Sequence, residues 1–306
     1  MKNSEKLKII LQLSGYSQNT LARELWVSFP TLNSWLHEKS QPRKKAVERI
    51  DVYYLNITGQ NRISDSEIQA KKDIVVLKSN DYPSVLNYIV SRQDIYEQMI
   101  VSLTYNTNSI EGSTLSENET AQILLENRTV ASKTLVEQLE AKNHQSALVY
   151  LFKYLQRDNN QINEMLILKL HSILMNSIQS DAGCYRQHGV RILGSEVITA
   201  NYLKVADLMK QLSQDIEWNI DDIIQHASYV HAQFEKIHPF SDGNGRVGRL
   251  LLHAMLLKYN LPPAHIKQET KQKYYTVLAR AQTKQDTSLL EDFILDSIIN
   301  SFKVFN

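Results

Sequence analysis

The sequence predicts an all-α protein. Only 9 glycines and 6 prolines punctuate 306 residues. Apolar residues recur at spacings of three and four along most of the chain, and alternating β-branched runs are nearly absent. This length allows one large or two modest domains with a sizeable core. A formal net charge of +1 excludes a whole-molecule attraction to nucleic acid or to a membrane surface. The single cysteine, Cys184, excludes an internal disulfide framework; it fits a reducing compartment and is expected as a small buried hydrophobe. The opening Met1-Lys-Asn-Ser-Glu-Lys lacks the apolar core of a signal peptide, and no later stretch is apolar enough to span a bilayer. A cytoplasmic protein with no membrane partner is expected.

Residues 1–60 are expected to form a small unit of their own. Leu7, Ile10 and Leu11 give a first helix that ends at Gly15. Ser17 caps a second helix through Leu25, and Ser28 opens a third containing Thr31, Leu32, Trp35 and Leu36. The short turn and the Trp-Leu pair resemble the helix-turn-helix of phage-repressor-like DNA-binding domains. The departures are Trp26 and Glu38, which stand where that pattern usually has glycine. Nine cations against five anions in residues 1–51 leave a local excess of +4. Lys39, Arg43, Lys44 and Lys45 cluster where they could reach phosphates, so DNA is an expected partner of this unit, with Ser28, Thr31, Asn33 and Ser34 facing the groove.

Residues 61–80 read as a connection and 81–306 as the main domain. Pro83 is placed in the first turn of a helix that runs on through Ile95, Met99 and Leu103 to a stop at Gly112, which can adopt the left-handed conformation. Glu111 then sits at a helix C-terminus, where the dipole disfavours an anion. Ser116-x-x-Glu119 is a capping box that opens the next helix. Helical patterns follow near 133–157, 163–178, 202–216 and 222–236. Between them, Gly183 to Ser195 carries Val190 and Ile192 among glycines and reads as a short β-hairpin. His226, His231 and His253 do not show the spacing of helical zinc ligands and are read as packing residues.

The chemistry concentrates in Ile237-His-Pro-Phe-Ser-Asp-Gly-Asn-Gly-Arg-Val-Gly-Arg249. Gly243 and Gly245 let the backbone turn sharply and approach a ligand closely. The apolar periodicity that follows places this turn at a helix N-terminus, which favours an anion. Arg246 and Arg249, three apart, share a helix face and suit a polyphosphate. Asp242 is a natural ligand for Mg²⁺ carried in by phosphates, and His238 is the nearby group that can take a proton near neutral pH.

The stretch resembles the signature of the Fic family, His-x-Phe-x-(Asp/Glu)-Gly-Asn-Gly-Arg-x-x-Arg, at every defined position. Thr107-x-x-x-Glu111-Gly112 resembles the family's inhibitory motif, in the class that carries it N-terminal to the signature. The resemblance implies an all-α Fic domain that transfers AMP from ATP, with Mg²⁺, to a Ser, Thr or Tyr hydroxyl of a target protein or of the chain itself. His238 would be the catalytic base. Phe240, Asp242, Gly243, Asn244, Gly245, Arg246 and Arg249 would bind nucleotide, as would Tyr275 in a Tyr-Tyr-x-x-Leu segment. Glu111 would pair with Arg249 and inhibit. The hairpin at Val190, Arg191, Ile192 and Leu193 would be the flap that docks the target, and further copies of the chain are conceivable partners. The alternatives are a nucleotide-sensing transcription regulator that uses the helix-turn-helix, removal of AMP from a modified target, and transfer of another phosphate-linked group.

Overall fold

The computed structural model describes residues 1–58, 63–158, 160–192, 197–217 and 220–305. Four helices build the N-terminal unit: α1 Asn3–Ser14, α2 Gln18–Glu24, α3 Phe29–Leu36 and α4 Lys44–Ile57. Ser17 and Ser28 cap α2 and α3 by accepting from the amides of Thr20 and Thr31. Leu7, Ile10, Leu21, Leu25, Leu32, Trp35, Leu36 and Ile50 close a core separate from the main one. Trp26 and Glu38, the two residues at glycine positions, both take left-handed backbone at φ 58°. Each has a local anchor against that strain: Arg49 lies over the Trp26 ring at 4.9 Å, and Glu38 accepts from Lys2 and Ser4. The Lys6–Asp51 ion pair at 2.6 Å ties α1 to α4.

The expected connection is instead a helix, α5 Asp65–Ser79, opened by the capping box of Ser64 and Glu67. Two lysines dock it: Lys71 reaches Asp292 and Asp296 on the last helix, and Lys72 reaches Glu291 there and Asp222 at the cap of the helix Ile223–Ile237. Pro83 does not enter the next helix. Ser84 caps a short α6, Val85–Ser91, and Arg92 breaks it from α7, Gln93–Ile110. Then come α8 Glu117–Leu125, α9 Leu135–Leu155, α10 Glu164–Leu174, α11 Val205–Asp215, α12 Ile223–Ile237, α13 Asn244–Lys258, α14 Lys271–Lys284 and α15 Ser288–Ser301. The fold is all-α. Among the described residues no strand is present, so residues 183–192 of the expected hairpin do not form one. Residues 190–192 form a limb without ladder pairing, tied across by Thr199 Oγ1 donating to Val190 O at 2.8 Å. Leu193 lies outside the described residues. Cys184 is exposed rather than buried. Among the described residues no helix is long and apolar enough to cross a membrane.

The architecture centres on α13. Nearly all of it is buried, with α12 antiparallel beside it and α7, α9 and α10 around it. A helix covered on every side should be apolar all round. This one instead carries Asn244, Arg246, Arg249 and His253 inward. Burying two guanidinium groups costs several kcal/mol each unless they are paired, so their partners define the site.

Candidate functional site

The turn that opens α13 is held from below. Asn244 folds its side chain back on the loop, accepting from the Phe240 amide at 2.8 Å and donating to the Phe240 carbonyl at 2.9 Å. Phe240, expected at the nucleotide, is fully buried and stacked on His171 with ring centroids 3.7 Å apart. It therefore supports the loop rather than lining its mouth. His171, on α10, donates from Nε2 to the Asp242 carbonyl at 3.1 Å and accepts the Gly183 amide at Nδ1. Gly243 turns at φ 76°, and a Cβ there would meet Met175 Sδ at 2.8 Å. No side chain caps α13, so the amides of its first turn face the mouth of the site.

His238 closes α12 in the left-handed conformation, φ 52° and ψ 61°. Its Nδ1 lies 3.2 Å from the Glu235 carbonyl. A carbonyl only accepts, so Nδ1 carries the proton and Nε2 presents a lone pair. Burial lowers the His238 pKa, which keeps the imidazole neutral and basic at neutral pH. The Glu235 carboxyl lies 4.0 Å from the same nitrogen, and burial pushes its pKa up to about 8.

The arginines are each met by a carboxylate. Arg249 Nη2 donates to Glu111 Oε1 at 2.6 Å, and its Nε donates to Thr107 Oγ1 at 2.6 Å. Glu111 is the C-cap of α7, and Gly112 follows at φ 107°. Burial alone would raise the Glu111 carboxyl, but Arg249 overrides it and holds the group below the usual carboxylate range. A third of the side chain stays in contact with solvent. Gly245 makes the approach feasible, since a Cβ there would lie 2.4 Å from Glu111 Oε1. Arg246 donates to Glu140 on α9 at 2.7 Å and lies 3.5 Å from Asp242. Among the described residues, Arg246 Nε and Arg249 Nη1 are buried without a hydrogen-bond partner, which leaves donors for an incoming anion. Tyr275 is half-buried close to the Glu111–Arg249 pair, whereas Tyr274 is fully buried and bonded to His231 Nε2 at 2.7 Å. His231 and His253 are buried in this packing, and His226 bonds the Ile216 carbonyl.

Residues 161–256 match the family model of the Fic/DOC family. The chain carries a Fic domain. It is homologous to the protein adenylyltransferase fic-1 of Caenorhabditis elegans, at 32% identity over 184 residues, 57% of this chain and 35% of that protein. A protein adenylyltransferase Fic of Nematostella vectensis is 30% identical over 58% of this chain and 42% of its own length. The chain thus spans well under half the length of the curated relatives it matches. Among solved structures, C. elegans Fic-1 (residues 134–508) superposes with a TM-score of 0.69 at 20% identity, covering 98% of this chain and 87% of that one. A Fic domain containing signaling protein from Bacteroides thetaiotaomicron gives 0.66 at 21% identity over 76% and 97%. These two likenesses establish the fold.

Sequence reasoning did not find Glu140, His171 or Arg186 around the Fic signature. The need for one of them, Glu140, was legible, because arginines on an apolar helix require acids. The positions of all three were not, since they come from 52 to 106 residues away.

Proposed function

We propose that the chain is a protein adenylyltransferase that moves AMP from ATP to a protein hydroxyl. The observation that carries this reading is the His238 tautomer: Nδ1 is committed to the Glu235 carbonyl, and the basic Nε2 stands beside an anion-binding helix start. In this reading the triphosphate lies along the first turn of α13. The amides of Asn244 and Gly245 face its inner phosphate, and Arg246 and Arg249 take the outer ones. The acceptor hydroxyl gives its proton to His238 Nε2 as its oxygen bonds to the α-phosphorus. The bond from that phosphorus to the β-bridging oxygen breaks, and pyrophosphate leaves with the electron pair.

Asp242 fits a magnesium site. Its side chain is 56% exposed at the mouth, with Oδ1 fixed by the Gly243 amide at 2.6 Å. A magnesium ion met there would supply charge neutralisation on the phosphates. Glu111 would act as the internal inhibitor, because it occupies the guanidinium that an outer phosphate needs. Support comes from the 2.6 Å contact. The segment of Val190, the exposed Arg191 and Ile192 would receive the target.

The test uses wild type, Glu111→Gly and Glu111→Gly/His238→Ala with α-labelled and γ-labelled ATP. Protein-bound α-label in Glu111→Gly alone supports the reading. Bound γ-label, or α-label that survives the loss of His238, overturns it. For the N-terminal unit the proposed partner is DNA, supported by the exposed Lys39, Arg43, Lys44 and Lys45. Binding to duplex that does not weaken with salt would refute that.

A further inference from the structure

Arg186 lies between α10 and α11, outside the Fic signature, and is 2% exposed. No carboxylate pairs with it among the described residues; its guanidinium is satisfied by carbonyls. Nε donates to His238 O at 2.7 Å, Nη2 to Ile237 O at 3.3 Å and to Ala200 O at 2.6 Å, and Nη1 to His188 O at 2.7 Å. Its own amide donates to Pro239 O at 3.0 Å.

These acceptors fall into two groups. Ile237, His238 and Pro239 form the end of α12, where carbonyls have no partner within the helix and the dipole favours a cation. The same backbone holds His238 left-handed, a strain of about 1–3 kcal/mol for a residue with a Cβ. His188 and Ala200 flank Arg191 and Ile198, which are exposed, Ile198 by 86%. Only a planar fork with several fixed donors can address both groups at once.

We infer that Arg186 is a positioning residue that locks the His238 backbone together with His188 and Ala200 into one rigid unit. A protein segment resting beside His188 and Ala200 would thereby be registered to the imidazole. The link to catalysis rests on the adenylyltransferase reading; the link between the two backbones does not.

The test takes the full chain as wild type, Arg186→Lys and Arg186→Ala, and follows amide hydrogen exchange. Lysine keeps the charge but offers its donors from one point. The expected result in both variants is faster exchange, by about ten-fold or more, in peptides covering 187–192, 197–201 and 237–242 together, with α9 and α13 unchanged. Acceleration on one side only, or on neither, overturns the coupling. So does loss of protection throughout α9 and α13 in Arg186→Lys, which would make the residue a general core element. In the Glu111→Gly background, Arg186→Lys should lower kcat about ten-fold and leave the KM for ATP within about two-fold, since Arg186 touches no phosphate-binding side chain. A raised KM with kcat intact contradicts the positioning role. If Glu111→Gly itself transfers no label, the adenylyltransferase reading fails, and the exchange data still decide the coupling.

Discussion

Replacing Glu111 removes the only carboxylate bonded to the Arg249 guanidinium among the described residues. Arg249 would keep Thr107 Oγ1 at 2.6 Å and the Thr107 carbonyl at 3.3 Å, so it would lose its counter-charge but not all of its acceptors. A fully buried pair broken on one side costs about 3–5 kcal/mol, and an exposed pair is worth about 0–1. With 32% of the Glu111 side chain in solvent and Arg249 buried, this pair lies between those limits. A loss of about 2 kcal/mol is expected, which lowers Tm by about 3–6 °C in a chain of this size. Glu111→Ala serves beside Glu111→Gly, because it avoids the added backbone freedom of glycine. A triphosphate should replace the missing anion, so Mg·ATP should raise Tm in both variants by several degrees more than in wild type. Thermal unfolding with and without Mg·ATP measures both effects. Equal Tm values and equal ATP shifts in all three proteins would refute the pairing and the competition drawn from it.

Two further outcomes follow from the same packing. Gly245→Ala would drive a Cβ to 2.4 Å from Glu111 Oε1, so it should break the pair without altering either partner. Its destabilisation should then be about 1–2 kcal/mol smaller in Glu111→Gly than in wild type, and an additive double-mutant cycle would count against the contact. Acid should unfold the protein early. Burial lowers His171 and His265 to about 4, His231 and His253 to about 3, and holds His144 well below its usual value, from the 6.5 of the unfolded chain. Below that value the unfolded chain binds protons that the folded one refuses, so stability falls as pH drops from about 6.5 towards 4. Glu235, raised to about 8, has the opposite sign: its contribution is present below 4.5 and is lost as pH rises through 8. The lowered histidines outnumber Glu235, so the net effect between about pH 6.5 and 4.5 is a loss of stability as acid is added. Denaturant titrations from pH 7 to 4.5 that show no loss would contradict the buried, neutral histidines.

What the sequence made legible follows from distance along the chain. The anion-binding turn, His238 and both arginines sit within twelve residues, so their chemistry could be read together. Trp26 and Glu38 were visible as residues out of place, and the left-handed backbone they adopt explains why glycine is usual there. The helix α5 was missed although Ser64 and Glu67 supply a capping box. Its contiguous Ile74, Val75, Val76 and Leu77 leave only Val75 buried, so no clean stripe marks it. Pro83 was placed inside the helix rather than just before its cap, because Ser84 was not weighed against it. Glycines and β-branched residues around 190 suggested a ladder, whereas the limb is braced by Arg186 and Thr199. Glu140, His171 and Arg186 answer needs created by residues far away in sequence, and local pattern carries no trace of such pairing.

The claim on which the rest depends is that a triphosphate lies across the start of α13 with its α-phosphorus facing the His238 imidazole. A crystal structure of Glu111→Gly with magnesium and a non-hydrolysable ATP analogue tests it most directly. The account predicts the outer phosphates on Arg246 and Arg249, and the Nε2 face of His238 within one acceptor oxygen of the α-phosphorus. An empty helix mouth under saturating ligand, or a nucleotide whose α-phosphorus is remote from His238, would contradict it.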